Sequence, residues 1–484
     1  YECGSGLLIH HRRRLDVPME EVRVVNLFAA WFFPSLGGLL YGFDIGAMAM
    51  ALKDLTSDNY SGTSWSTALR DSATAAGAVV AMTTWGAMLG SFLVFYVEAR
   101  LGRRREMLVA SLCYAGGAAI ASTAGNVFAL ASGRLLYGVG VGFAMHGAPS
   151  YIAESAPSRL RGALVSGKEA MIVVGMLTGY GVGASLQTTV GGWRVVFATA
   201  IPLAAAYGVG VFLLPPSPRW LASRGASKAS VARSARFVTR DDAVVDAIVS
   251  ETSSVKQQDA PSLGDALRQL TEKGATRNAL KVGLGLVFFQ QVTGQPSVLY
   301  YADAFFTEVG LGASAVIAVV AWKLAATLCA VAFADSFGRK SLLFVGCSLM
   351  AAALLALTVF TQTYVVLAAM FLYIGGYQVG YGPVVWLYVS EIFPLRVRGQ
   401  ALSIAVFANF ALNALITLAC APLLAWSAPL TFAGFLALIL LSLLFTHASV
   451  PETKGLSLEA ITKLLDDATT AAGGEDTRLL TTDK

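Results

Sequence analysis

The chain is short of charge. Of its 484 residues only 13% are Asp, Glu, Lys or Arg, where soluble domains carry roughly 25%. With 56% hydrophobic residues and a mean hydropathy of +0.63, that shortage excludes an ordinary soluble globule and leaves a polytopic membrane protein. Cysteine is scarce too: Cys3, Cys113, Cys329, Cys347 and Cys420 are scattered, which gives neither a disulfide framework nor metal-ligand spacing. The four histidines form no metal cluster, and His10 and His11 beside Arg12–Arg14 read as a solvated basic tail. No nucleophile–base set stands out, so an enzyme is not expected, and neither is a metal or an organic cofactor. Net charge is only +5, with the basic residues in short loops, which does not imply nucleic acid. The chain begins at Tyr1 rather than Met, so further residues are expected upstream, and any targeting peptide would lie among them.

What the chain does contain is long apolar runs. Twelve spans are expected, at about 24–50, 72–97, 106–124, 127–150, 160–186 and 193–214, then 279–307, 312–334, 341–361, 364–389, 399–421 and 428–449. This predicts an all-α membrane protein of two six-helix bundles, 24–214 and 279–450. Around them lie an N-terminal tail 1–23, a polar helical linker 215–278 with an amphipathic stretch at Asp265–Thr271, and a C-terminal tail 451–484. Arg103–Arg105, Arg159, Arg161, the linker, Arg339, Lys340, Arg396, Arg398 and Lys454 fall on one side. The alternate loops carry few cations, so both termini and the linker face the cytosol-like side. The halves also repeat. Gly102-Arg103-Arg104 returns as Gly338-Arg339-Lys340, Glu154 with Arg161 returns as Glu391 with Arg398, and Pro215 returns as Pro451, each at an offset of 236 or 237 residues.

One span is unusual. Gln290–Tyr301 places Gln290, Gln291 and Gln295, with Thr293, Ser297, Tyr300 and Tyr301, inside an apolar run that also holds Gly294 and Pro296. So many hydrogen-bonding groups facing lipid would be costly. A helix broken at membrane depth is tolerated where it lines a cavity, and that is where transporters hold substrate. The plainer alternative is a Pro-kinked span whose amides bond neighbouring helices.

These features, with the motifs Gly42–Gly46 (Gly-Phe-Asp-Ile-Gly), Gly133–Gly138, Glu154–Gly162, Ser217–Trp220, Gln290-Gln291, Asp335–Lys340, Glu391–Gly399 and Pro451–Gly455, resemble the sugar-porter branch of the major facilitator superfamily from about Ala30 to Leu465. Lys168-Glu169, Gln295–Val298 and Lys323 further resemble a plant and algal xylose–proton-symporter-like subgroup of plastid or vacuolar membranes. The resemblance implies proton-coupled transport of a monosaccharide by alternating access, by a protein that works as a monomer. Gln290, Gln291, Tyr300, Gln378, Trp386, Asn409 and Asn413 match its sugar-contacting or pocket-lining positions. Amides supply paired donors and acceptors for hydroxyls, and an indole supplies an apolar platform. For Trp386 taken alone, core packing is the simpler reading. Pro296 departs from the pattern, because family members commonly place a sugar-binding Asn there, and this leaves the identity of the sugar open.

Charges inside spans need a reason. Asp44 and Arg134 each fall roughly 9–12 Å below the outer surface at 1.5 Å rise per residue, so they can meet. Movement that separates or hydrates such a pair alters the proton affinity of the carboxylate. An acid at the Asp44 position resembles the proton-coupled members, and a fixed ion pair that clamps spans 1 and 4 is the alternative. Glu169 and Lys323 both fall near the midplane, roughly 14–17 Å deep. Many family members carry sugar-bonding Gln and Asn at these positions. The two charges are therefore expected to pair across the cavity or to bond sugar hydroxyls, with full pairing elsewhere as the alternative.

Arg103, Glu154, Arg161, Asp335, Arg339, Glu391 and Arg398 sit at cytosol-facing helix ends, where the resemblance implies ion-pair latches. A topology signal with helix-end charge is the plainer account. Ala99 stands where the family has an acid, with Glu98 beside it, so that latch is expected to be weaker or to use Glu98. An uncoupled uniporter and a non-transporting sugar sensor are the rival functions.

Overall fold

A computed structural model describes residues 22–242, 274–294, 299–301, 313–333, 337–393 and 398–454, with isolated positions between 245 and 271 and between 461 and 465. The chain divides into two compact units, 1–68 with 82–260, and 69–81 with 261–484.

The chain begins with α1 (Val24–Leu55), the short α2 (Ser66–Arg70) and α3 (Ala73–Ser122), a single run interrupted at Gly102, where φ is +71°; α3 belongs to the first unit from residue 82 onward. Then come α4 (Val127–Ser155), α5 (Ser158–Leu186) and a sixth span built from α6 (Gly192–Ala198) and α7 (Ala200–Leu213). The Asn126 side chain caps α4 by accepting from the Ala129 amide at 2.8 Å, the usual remedy for an orphan N–H at a helix start. Beyond the sixth span, α8 (Pro218–Ser223) and α9 (Lys228–Ala235) form the described part of the linker. The linker is tied to the start of α1 by an antiparallel bridge, Val22 to Thr239, and by Asn26 Nδ2 donating to Phe237 O at 2.7 Å. The expected amphipathic stretch Asp265–Thr271 lies largely outside the described residues.

α1 packs mainly along α5 and then α4. The α1–α5 contact is close because both helices present glycine: a Cβ on Gly42 would lie 1.8 Å from the Ile172 carbonyl oxygen, and one on Gly179 would lie 2.3 Å from that of Phe43. Small residues let backbones approach where lipid supplies no hydrophobic drive. This contact fixes Asp44 on the interior of the unit.

The second unit contains α10 (Ala275–Val292), a 3₁₀ turn at Leu299–Tyr301, α11 (Ala313–Phe333), α12 (Arg339–Val359), and a tenth span of α13 (Thr363–Gly380) with α14 (Gly382–Ile392). It closes with α15 (Arg398–Trp426) and α16 (Ala428–Ser449). α10 packs on α15 as α1 packs on α5, so the duplication read in the sequence has a counterpart in packing.

Among the described residues, nine helices are long and apolar enough to cross a bilayer. The other three expected spans are the second limb of α3, α10, and α11 with its shorter apolar stretch Ser314–Ala330. In α10 the shortfall comes from its own polar residues, including Gln290 and Gln291. The seventh span does not run unbroken to 307: its helix stops at Val292, and Gly294 has φ +80°. The carbonyl of Thr293, freed by that stop, accepts from the buried Tyr373 hydroxyl.

Candidate functional site

In the second unit, α10 and α15 bring four amides together. The Gln291 carbonyl oxygen accepts from Asn413 Nδ2 at 2.8 Å, and Gln291 Nε2 donates to Asn409 Oδ1. Thr417 Oγ1 extends the line to Asn413 Oδ1 at 3.4 Å. Gln290 points the other way, its Nε2 donating to the Tyr381 carbonyl at 2.9 Å, and its buried Oε1 has no hydrogen-bond partner. A buried acceptor left unpaired costs about 1–3 kcal/mol, so this atom calls for a donor from outside the chain, a water or a ligand hydroxyl.

A second group joins α11 to α13. Gln378 Nε2 donates to Thr327 Oγ1 at 2.5 Å, and Thr327 Oγ1 donates to the Lys323 carbonyl at 2.7 Å. Lys323 Nζ lies 5.3 Å from the centre of the Tyr377 ring, a cation–π distance. Tyr300 is buried on the 3₁₀ turn, and Trp386 on α14 is half-buried. Gln295 lies outside the described residues. Thr327 and Thr417 were not singled out from sequence. The available signal was spacing, since each falls one helical turn after a chosen residue, Lys323 and Asn413.

In the first unit, Asp44 and Arg134 form a bidentate pair, Nη1 to Oδ1 at 2.9 Å and Nη2 to Oδ2 at 3.2 Å, with both side chains almost fully buried. Arg134 also lies 5.8 Å from the Phe197 ring centre. α1 runs on to Leu55 rather than stopping near 50, so Asp44 lies deeper below that helix end than its sequence position suggests, roughly 16 Å. A small cavity lined by Phe43, Asp44, Ala47, Arg134, Tyr137 and Phe197, among others, adjoins the pair. One ordered water needs only about 10–15 Å³ of such space. The two parallel contacts fix the guanidinium plane against the carboxylate.

Glu169, expected to face Lys323, is paired within its own unit: Lys168 Nζ lies 3.0 Å from its Oε1. Lys168 is buried and was read from sequence only as part of a subgroup motif, so its role as the partner of Glu169 is new.

The helix-end charges pair twice over. Arg103 Nε donates to Glu154 Oε1 at 3.1 Å, and Ser217 Oγ donates to Glu154 Oε2. In the second unit Arg339 Nη2 donates to Glu391 Oε1 at 3.0 Å, and Thr453 Oγ1 donates to Glu391 Oε2 at 2.7 Å. Asp335 and the side chains of Glu98, Ala99, Arg161 and Arg398 lie outside the described residues.

Glu452 joins the second set from beyond α16. Partial burial works against its ionisation, yet the backbone N–H groups of Lys454, Arg339, Lys340 and Thr453 hold its carboxyl below the usual range. Two of those amides open α12, the natural seat for an anion.

Comparison with known proteins gives the family and the fold. A family model described as "Sugar (and other) transporter" matches residues 30–465. "D-xylose-proton symporter-like 3, chloroplastic" of Arabidopsis thaliana is 43% identical over 471 residues, covering 92% of this chain and 83% of the relative. The "D-xylose transporter" of Levilactobacillus brevis is 32% identical over 480 residues, covering 96% of this chain and 100% of the relative. Among solved structures, the proton:xylose symporter XylE bound to 6-bromo-6-deoxy-D-glucose superposes with a TM-score of 0.75 at 28% identity, covering 91% of this chain and 99% of that one.

Proposed function

Because the chain belongs to the sugar transporter family, with the twelve-helix major facilitator fold of an integral multi-pass membrane protein, we propose that it carries a monosaccharide together with a proton by alternating access. The observation that carries this reading is the buried Asp44–Arg134 pair beside a small cavity. A pure clamp has no use for space beside the pair, whereas the cavity leaves room for about one water next to a carboxylate that must exchange a proton. In this proposal Asp44 is the group that binds the coupling proton, and the Arg134 contact is what parts and re-forms as the carrier cycles.

The sugar-binding residues in this proposal are Gln290, Gln291, Gln378, Asn409 and Asn413 of the second unit, with Tyr300, Trp386 and Lys323 as further candidates from the same unit. The unpaired Oε1 of Gln290 supports it, since a sugar hydroxyl would complete that acceptor. The relatives named for D-xylose, and XylE with a halogenated deoxyglucose, support an aldopyranose as the substrate class. The chloroplastic relative supports a plastid envelope, with a vacuolar membrane as the alternative. The carrier is proposed to act as a monomer, with no resident cofactor and the proton as its coupling ion.

Proteoliposomes with and without a pH gradient test this, using labelled xylose and glucose in parallel. Wild type accumulates sugar on the gradient, and Asp44→Asn exchanges sugar but does not accumulate it. Full proton-driven accumulation by Asp44→Asn refutes the coupling role. Absence of sugar-induced alkalinisation of the outer medium in wild type favours an uncoupled uniporter.

A further inference from the structure

The first unit holds a buried carboxylate used neither by the Arg103–Glu154 pair nor by Asp44–Arg134. Glu106, in the limb of α3 that follows Gly102, is 0% exposed. Its Oε2 lies 3.0 Å from His146 Nδ1 on α4, and its Oε1 meets Arg103 Nη1 at the long distance of 3.5 Å. Arg103 gives its Nε to Glu154. Two carboxylates thus converge on one guanidinium, and a histidine partners the more deeply buried of them.

The other groups around the cluster come from every neighbouring helix. On α5, Lys168 Nζ lies 3.6 Å from the Sδ of Met145, the residue before His146, and is paired to Glu169. On α7, the buried Tyr207 is within electrostatic reach of Glu106. At the start of α8, Ser217 bonds Glu154, and α1 meets this stretch of α4 through Gly37 against Ala144.

The duplication isolates the pair. The residues of the ion-pair latch recur in the second unit, but the positions 236 and 237 residues after Glu106 and His146 are Leu342 and Pro383. Neither can hold a proton, so the Glu106–His146 pair belongs to one half alone and is not part of the repeated latch.

An ionised carboxylate without water must be matched by a nearby cation. Imidazole is the side chain that ordinarily changes charge between about pH 5 and 8. With His146 protonated, Glu106 is countered and Arg103 serves Glu154. With His146 neutral, Glu106 either draws Arg103 away from Glu154 or takes up a proton itself. The His146 side chain is 14% exposed, so one ring edge is left uncovered by the unit. We propose that Glu106 and His146 form a second proton-binding site, separate from Asp44–Arg134, whose occupancy sets how firmly Arg103 holds Glu154. Loss of its proton loosens the latch of the first unit.

The test uses the full chain in lipid nanodiscs, with His10, His11 and His447 replaced by Gln so that the imidazole ¹⁵N signals of His146 stand alone. One titration between about pH 5 and 8 is expected, with a midpoint that moves in Glu106→Gln. An imidazole that keeps one protonation state across that window, or a midpoint indifferent to Glu106→Gln, overturns the proposal. A second arm measures sugar exchange in liposomes at matched pH on both sides. In the Asp44→Asn background, which removes the first proton site but still exchanges sugar, exchange should change about fivefold across the window, the effect of roughly 1 kcal/mol on the latch, and adding His146→Gln should make it flat. Superimposable profiles overturn the link to the latch. If His146→Gln does not fold, the titration of the His146 signal decides alone. If no sugar is exchanged under any condition, the transport reading fails while the titration still judges the proton site.

Discussion

Arg103 and Glu154 are joined at 3.1 Å in the first unit, and the residues that repeat them, Arg339 and Glu391, are joined at 3.0 Å in the second. Even the third member is duplicated as a hydroxyl, Ser217 on Glu154 and Thr453 on Glu391. A further tie repeats with them: Tyr151 donates to the Pro215 carbonyl at 2.8 Å, and Tyr388 donates to the Pro451 carbonyl at 2.9 Å. A charge kept only to orient the chain in the membrane needs no partner. These charges have partners in matching geometry, which favours the latch over the topology signal.

The latch carboxylates are 18% and 24% exposed, so each pair contributes modestly to folding, about 1 kcal/mol or less. Glu391→Gln should therefore leave the melting temperature within a few degrees of wild type. The same loss shifts a two-state conformational equilibrium up to about fivefold. Cysteine labelling at the cytosol-facing helix ends should rise accordingly. Unchanged labelling together with a large drop in melting temperature would make the pair a mere clamp.

The Asp44–Arg134 pair behaves differently because it is buried. Arg134→Gln leaves a carboxylate without its cation, and breaking a buried pair from one side costs about 3–5 kcal/mol. The double variant Asp44→Asn with Arg134→Gln removes both charges and should recover a large part of that loss. Thermal melting in detergent checks the cycle, and additive losses would contradict direct pairing.

Span count and the duplication were legible because composition and period carry them: long apolar runs, and motifs repeating at an offset of 236 or 237 residues. The meeting of Asp44 with Arg134 was legible from depth alone. The partner of Glu169 was not. Adjacent residues on a helix do not normally face each other, so spacing gave no hint that Lys168 would reach back to it. Nor did sequence show where the seventh helix stops, because a Gln-rich apolar run is compatible with a kinked helix or a broken one. Only the backbone at Val292 and Gly294 decides between them.

Glu452 supplies a pH dependence whose sign can be worked out. Its folded-state carboxyl titrates below the ordinary Glu range of about 4.3, held there against partial burial by backbone N–H groups of Lys454, Arg339, Lys340 and Thr453. Its contribution to stability is therefore complete above the unfolded value and is lost as pH falls through the folded one. The side chain is half-buried, and the solvent that still reaches it screens that contribution to about 1 kcal/mol or less. Glu452→Gln should lower the melting temperature slightly at pH 7, and the difference from wild type should close below about pH 4. A difference that widens on acidification would show that the carboxylate is not what the α12 amides hold.

Gln290 separates binding from folding. Its Nε2 bonds the Tyr381 carbonyl, while its Oε1 is buried without a partner. Gln290→Met keeps the length of the side chain, gives up the Nε2 bond and removes the unpaired oxygen. The two changes to stability oppose each other, so melting should move little. If a sugar hydroxyl donates to Oε1, losing that acceptor costs about 0.5–1.5 kcal/mol of binding, or roughly a 2- to 13-fold rise in KM. Exchange kinetics and melting on the same preparation therefore give a paired readout. A raised KM with steady melting places the sugar at Oε1, whereas a steady KM with lowered melting makes Gln290 a helix tie and leaves the line from Gln291 to Asn409 and Asn413 to carry recognition.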